Sequence, residues 1–304
     1  MGEAVFFYTD NKMRSLLDIA TLSKDEVSDI FSLASNYLIE KKDDVLLGKN
    51  IVLGFFESST RTRISFDLAV QRLGGKTIQF LSQGSSISKG ESFVDTIHTL
   101  KQFGIDGWII RHNHALAPSL VASETQLPVI NAGDGSHQHP TQAMLDAFTI
   151  SRYVGDLLGK NILIVGDILH SRVARSEMDI LSLLGASVGV CAPGTLLPKG
   201  MKIGTYFPTL HHGMQWADAV IMLRLQKERM VSGIIPSEIE YQRYFGMNED
   251  IVKKYSNVLV LHPGPANYGV EFTMECMSYE NVLVREQVKN GLALRMAVLN
   301  HCFV

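Results

Sequence analysis

The segment Leu46-Leu47-Gly48-Lys49-Asn50-Ile51 returns as Leu157-Leu158-Gly159-Lys160-Asn161-Ile162. Each copy runs into an apolar stretch, a polar turn and a helical pattern that ends in Leu-Gly, at Leu73-Gly74 and again at Leu184-Gly185. A chain that uses one strand–turn–helix unit at the head of each half is most simply built as two similar α/β halves, each with its own sheet. Chance recurrence of a common unit is the alternative, because short matches arise by accident. Length favours two halves: 304 residues exceed the size at which one core usually keeps growing.

Short β-branched or apolar runs at 51–56, 108–110, 129–130, 162–165, 188–190, 219–223 and 258–261 alternate with helical patterns. That rhythm predicts βαβ units and parallel sheets flanked by helices. Ahead of them, Ser23 and Glu26 form a capping box with Leu22 and Val27 as its staple. Val27, Ile30, Phe31, Ala34 and Leu38 then share one face of a packing helix. The first half is expected to end near a helix starting at Pro140, and the second to begin near Leu157. Ligands of open α/β sheets bind beyond the carboxyl ends of the strands, so two such sheets direct attention to the cleft between them.

Composition narrows the function. Hydrophobic residues at 46% and charged residues at 19% describe a chain with a packed core. A net charge of −3 argues against a nucleic-acid partner, whose phosphates need many basic contacts. Cys191, Cys276 and Cys302 have no CxxC spacing and read as small buried hydrophobes, with no disulfide framework or zinc site. No stretch reaches the ~18 apolar residues of a membrane helix, and no basic flank with an apolar run opens the chain, so the cytoplasm is the expected location.

Three segments carry candidate chemistry. Ser59-Thr60-Arg61-Thr62-Arg63 follows a predicted strand and opens a helix, where free backbone N–H groups, hydroxyls and guanidinium forks suit a phosphate. An ordinary N-cap with two solvated arginines is the competing reading. There is no GKS or GKT, so a nucleoside triphosphate is not indicated. Gly133-Asp134-Gly135-Ser136-His137-Gln138-His139-Pro140-Thr141-Gln142 again joins strand to helix. There His139 and Gln142 can hydrogen-bond a polarised carbonyl, or His139 can be a structural hydrogen-bonder. A metal on His137 and His139 lacks a third ligand at a supporting spacing. In the second half, Gly166-Asp167-Ile168-Leu169-His170-Ser171-Arg172 and Met222-Leu223-Arg224-Leu225-Gln226 place two arginines at strand ends, a pattern that suits a dicarboxylate. His262-Pro263-Gly264-Pro265 follows the next strand.

Taken together, the STRTR loop, the GDGSxQHPTQ segment, the GDxxHSRVARS turn, the RxQxER run and HPGP resemble the aspartate/ornithine carbamoyltransferase family, on its aspartate carbamoyltransferase catalytic-chain branch. The resemblance runs from about Leu17 to the C-terminal helix. It implies a carbamoyl-phosphate-binding domain over 1–140, completed by a C-terminal helix over 288–304, and an aspartate-binding domain over 154–287, joined by interdomain helices. It implies transfer of a carbamoyl group from carbamoyl phosphate to L-aspartate, a step of pyrimidine biosynthesis, with no cofactor or metal.

By the same resemblance, Ser59, Thr60, Arg61 and Thr62 hold the phosphate. Thr62, Arg111 and His139 surround the carbonyl oxygen, Gln142 holds the carbamoyl amide, and the backbone around Gly264-Pro265, typically cis, contacts the carbamoyl group. Arg172 takes the α-carboxylate of aspartate, and Arg224 and Gln226 the β-carboxylate. Ser85 and Lys89 lie on a loop that reaches into a neighbouring subunit's site, which implies a homotrimer; a regulatory chain or another pathway enzyme is left open as a further partner. Ser58 departs from the family's usual proline and Tyr268 from its usual arginine. An ornithine carbamoyltransferase is the nearest rival, disfavoured by Thr141, Gly264 and Lys89. A non-catalytic paralogue is the rival from another class, disfavoured by the presence of Arg61, Arg111, His139, Arg172 and Arg224 together.

Overall fold

The computed structural model describes residues 14–40, 42–81, 92–200, 204–227, 235 and 237–304. Its first helix, α1 (Lys24–Ile39), begins at the expected capping box: Ser23 Oγ accepts from Glu26 N, and Glu26 reaches back to Ser23 N at 2.9 Å. Val27, Ile30 and Ala34 are buried on its inner face, joined by Tyr37, which the apolar pattern leaves out. Tyr37 is buried because its hydroxyl has partners, donating to Asp43 at 2.8 Å and accepting from Asn300 at 2.8 Å.

Two parallel sheets follow. The first contains β1 (Asn50–Phe55), β2 (Lys76–Leu81), β3 (Gly107–His112) and β4 (Val129–Asp134) in the order β2-β1-β3-β4. The second contains β5 (Asn161–Val165), β6 (Ser187–Cys191), β7 (Thr205–Phe207), β8 (Ala219–Met222) and β9 (Leu259–Leu261) in the order β7-β6-β5-β8-β9. Without the edge strand β7, the second order repeats the first. β2 and β7 lie outside the apolar runs of the sequence. Both are edge strands, so one flank of each is unpaired and less of it needs to be apolar.

The repeat extends to single hydrogen bonds. Asn50 N donates to Asp106 Oδ2 and Asn161 N to Asp218 Oδ2, each at 2.8 Å. In return Asp106 N donates to Asn50 O and Asp218 N to Asn161 O. Each aspartate thus pins the start of its half's first strand to the turn before the neighbouring strand. The strand order reverses direction beside β1 in one sheet and beside β5 in the other, and crevices for ligands form at such points.

The helices α2 (Thr60–Arg72), α3 (Phe93–Gln102) and α4 (Ala117–Thr125) serve the first sheet. The helices α6 (Arg172–Leu183), α7 (Leu210–Met214), α8 (Glu238–Phe245) and α9 (Glu249–Lys254) serve the second. Between them runs α5 (Pro140–Val154), in which every residue from Pro140 to Ile150 is buried. It packs against α6 on one side and against α10 (Val284–Phe303) on the other, and α10 returns to lie on α1 and α2. No helix among the described residues is long and apolar enough to cross a membrane.

Replacing Asp218 with Ala is expected to lower the unfolding free energy by about 1–3 kcal/mol, because the Asn161 N–H loses its acceptor in a partly buried turn. Urea unfolding of the variant checks this; an unchanged midpoint would show that the turn is not held by this bond.

Candidate active site

The carboxyl ends of the strands beside both reversal points carry the candidate residues. β1 leads through Glu57 to Ser59, the N-cap of α2, whose side chain makes no capping hydrogen bond. The first-turn N–H groups of α2 and the hydroxyls of Ser59 and Thr60 are thereby left for an external acceptor, and Thr62 is buried at the same helix mouth. Arg111, near the end of β3, donates to Ala132 O at 3.2 Å and stands 3.5 Å from His139 Nε2.

His139 is the N-cap of α5, followed by Pro140, which fits the first helical turn. Its backbone N donates to Ser176 Oγ on α6 at 2.8 Å, and Ser176 in turn bonds Gln138 Oε1. The ring is 4% exposed. Burial, and then the charges of Arg111, Arg172 and Arg295, hold its pKa well below the ordinary 6.5. His139 is therefore a neutral imidazole at pH 7, able to donate one hydrogen bond without bringing a charge. One turn along, Gln142 donates to Asp146 Oδ1 at 2.9 Å. His137, the other member of the possible metal pair, turns to Asp134 at 3.0 Å.

From the second half, Arg172 opens α6 behind the N-cap Ser171, whose side chain accepts from Ala174 N. Arg172 crosses to the first half, donating to Gly135 O at 3.1 Å and to Glu57 at 2.5 Å. Arg111 lies 3.3 Å from the same Glu57 oxygen. Gly133 makes this approach feasible: its φ is +115°, and a methyl there would stand 3.2 Å from both Arg111 and Arg172. At the far side of the cleft, the Gly264–Pro265 peptide is cis, and Gly264 has a φ of +66°. The Arg61 guanidinium lies against the Gly264 α-carbon so closely that any side chain at 264 would collide with it.

Arg224 and Gln226, just past β8, are half-buried. Gln226 N donates to Asp167 Oδ2 at 3.3 Å, while Asp167 Oδ1 accepts from His170 N at 3.1 Å. One buried carboxylate therefore ties the segment bearing Arg224 to the turn bearing Arg172.

Thus the structure brings Arg111, His139 and Arg172 together, and Arg61 against Gly264, with Gln142 one turn along α5 from His139. It sets Ser59, Thr60 and Thr62 at the mouth of α2, and Arg224 and Gln226 beside the Arg172 turn. Ser85 and Lys89 lie outside the described residues, as do Glu228 and Arg229 of the RxQxER run. Sequence reasoning passed over Glu57, Asp134 and Asp167. Asp134 is 1% exposed and accepts from Leu116 N, Gln138 N and Asn131 Nδ2, which shapes the turn before His139. The recurrent Gly-Asp at two strand ends, Gly133-Asp134 and Gly166-Asp167, was the available signal. For Glu57 the signal was an acidic residue directly beside an anion-binding motif.

The arrangement matches known proteins over nearly its whole length. Residues 14–152 match the carbamoyl-phosphate-binding domain of aspartate/ornithine carbamoyltransferases, and residues 158–302 match their Asp/Orn-binding domain. The chain belongs to the aspartate/ornithine carbamoyltransferase family. Within it, the chain is 45% identical to the aspartate carbamoyltransferase catalytic subunit of Maricaulis maris, covering 98% of this chain and 96% of that protein. It is 44% identical to that of Chlorobium phaeobacteroides, over 94% and 98%. Among solved structures, aspartate transcarbamoylase from Trypanosoma cruzi in complex with carbamoyl phosphate and aspartate superposes with a TM-score of 0.86 at 29% identity, over 95% of this chain and 97% of that one. The M. jannaschii catalytic subunit does so with a TM-score of 0.83 at 32% identity, over 95% and 97%.

Because His139 is held neutral, its charge is expected to stay constant from pH 8 down to pH 6. The folded chain resists a proton that the unfolded chain accepts, so this residue's contribution to stability is present above about pH 6.5 and lost as the pH falls below it. Heteronuclear NMR of ring-labelled histidine, with His139→Gln to assign the signal, measures the midpoint; a value at or above 6.5 contradicts the neutral ring.

Proposed function

We propose that the chain transfers the carbamoyl group of carbamoyl phosphate to the amine of L-aspartate, giving N-carbamoyl-L-aspartate and phosphate, as its aspartate carbamoyltransferase relatives are named for doing. The observation that carries this reading is the meeting of Arg111 from one half and Arg172 from the other on Glu57. Two guanidinium groups on one carboxylate leave a surplus of positive charge, which suits an anionic substrate.

In this reading the phosphate sits at the N-terminus of α2, on Ser59, Thr60, Arg61 and Thr62. The carbamoyl oxygen lies among Thr62, Arg111 and His139. Aspartate's α-carboxylate exchanges with Glu57 on Arg172, and its β-carboxylate pairs with Arg224 and Gln226. The neutral amine then attacks the carbonyl carbon, and the oxygen becomes negative in the tetrahedral intermediate. Each donor to it contributes about 3 kcal/mol. His139 donates an N–H while Arg111 supplies the charge, so the oxygen meets one cation and one neutral donor. The C–O bond to phosphate breaks, and the departing dianion takes the amine's proton. The reaction needs no nucleophilic side chain, and holding both substrates in attack geometry supplies much of the rate.

Ser85 and Lys89 would complete the site from a neighbouring copy, in a homotrimer. A cytoplasmic location agrees with this chemistry, as does a place in pyrimidine biosynthesis.

Incubation with carbamoyl phosphate and either L-aspartate or L-ornithine tests the reading. Carbamoyl-aspartate alone is expected, and turnover of ornithine, or of neither by the folded protein, overturns it. Arg224→Ala is expected to lower kcat/KM for aspartate about tenfold to a hundredfold, the loss of a charge-assisted contact, with the KM for carbamoyl phosphate little changed.

A further inference from the structure

Behind Gln142, on the side away from the cleft, lies a cluster of charged groups shut off from solvent. Asp146 on α5 and Glu177 on α6 are both 0% exposed, and Arg295 on α10 is 5% exposed. Asp146 Oδ1 accepts two amide hydrogen bonds, from Gln142 Nε2 at 2.9 Å and from Gln287 Nε2 at 2.7 Å. Glu177 lies within hydrogen-bonding reach of Asp146. Yet Asp146 Oδ2 and both Glu177 oxygens accept from no donor among the described residues. Three orphaned acceptors in a dry interior are costly, and two facing carboxylates more so.

One proton resolves the conflict. A neutral Glu177 donates its O–H to Asp146 Oδ2, which pairs two of the three orphaned oxygens and leaves only the uncharged Glu177 carbonyl oxygen without a donor among the described residues, and Asp146 keeps its negative charge opposite Arg295. The charge balance favours this assignment, since one anion and one cation then remain in the cluster. Burial and the nearby Asp146 push the Glu177 carboxyl well above its ordinary range. Burial raises Asp146 less, to about 6, because its hydrogen bonds and Arg295 oppose it. Burial lowers Arg295 only to about 10, so it stays charged at neutral pH. The two carboxyls titrate as a unit.

The consequence reaches the cleft. An ionised carboxylate only accepts, so it forces the Gln142 side chain to present Nε2 to it. The Gln142 carbonyl oxygen is then the atom left to meet a ligand, and it can accept a hydrogen bond but cannot donate one. We propose that Asp146, kept a pure acceptor by a proton residing on Glu177, sets the orientation of the Gln142 amide and so makes the site select a carbamoyl NH₂ over a methyl group. Asp146 is a positioning residue, since it acts only through Gln142. It has a second reach as well: Gln287 Oε1 accepts from His262 N at 2.9 Å, and His262 Nδ1 from Gly264 N at 2.8 Å. The same carboxylate thereby braces the loop that carries the cis peptide on the opposite wall.

The inference rests on the carbamoyl-transfer reading, and the experiment separates the two. Acetyl phosphate, with a methyl in place of the NH₂, serves as competing ligand, and its inhibition constant is compared with the KM for carbamoyl phosphate. If the wild type makes no carbamoyl-aspartate, the functional reading fails first. If it does, Asp146→Leu is expected to lower the preference for carbamoyl over acetyl phosphate about tenfold, the loss of one oriented amide contact. Asp146→Asn is expected to rescue it to within about twofold, because Asn Oδ1 can still accept from Gln142 while its NH₂ donates to Glu177. An unchanged preference in Asp146→Leu, or no rescue by Asn, overturns the proposal while leaving the carbamoyl-transfer reading intact. A measurement independent of the Leu variant's folding is infrared spectroscopy at neutral pH. The wild type is expected to show the C=O stretch of a buried protonated carboxyl that disappears in Glu177→Gln; its absence from the wild type, or persistence in that variant, overturns the assignment of the proton.

Discussion

The burial of α5 governs the molecule. From Pro140 to Ile150 every residue of this helix is buried, although the segment includes Gln142, Asp146 and Thr149. A helix so placed cannot pack on one sheet with its polar face in water. It needs partners on every side, and it finds them in α6 from the second half and α10 from the end of the chain. Its polar side chains are answered within the helix and from α10, Asp146 accepting from Gln142 one turn away and from Gln287, and Thr149 accepting from Asn290. The relative placement of the two sheets follows from these constraints, and with it the width of the cleft.

The cleft itself is charged by design of the topology. Parallel strands deliver their carboxyl ends to one edge, and the order reversals in the two sheets bring Arg111 and Arg172 to face each other. Two guanidinium groups this close repel unless something negative lies between them, and without substrate Glu57 takes that place. In the proposed reaction a substrate carboxylate competes with it, so binding and rearrangement of the arginine cluster are one event. Local rigidity comes from hydrogen bonds: the buried aspartates Asp134 and Asp167 each gather donors from several turns and fix the loops on which the arginines ride.

Much of this was legible in the sequence. The repeated LLGKNI segment announced two like halves, and seven of the nine described strands lie on the predicted apolar runs. The edge strands β2 and β7 were not visible because a strand paired on one side only needs less apolar character. Ser59, Arg61, His139 and Arg172 could be named because each sits at a strand-to-helix turn, where local chemistry is exposed to a reader, whereas Arg111, inside β3, was named only through the family resemblance. Asp146 and Glu177 could not be. Their meaning depends on a partner from a distant part of the chain, and nothing in the local pattern distinguishes a buried acid with a shared proton from a solvated one.

The contact between Arg61 and Gly264 sets a rule for how this protein can change. A side chain from the first half occupies the space that a β-carbon would need in the second. The two positions therefore behave as a single site divided between distant parts of the chain. The guanidinium, as the end of a flexible chain, can yield, but the backbone φ of +66° at 264 disfavours any L residue, so shortening residue 61 alone does not free that wall of the cleft for redesign.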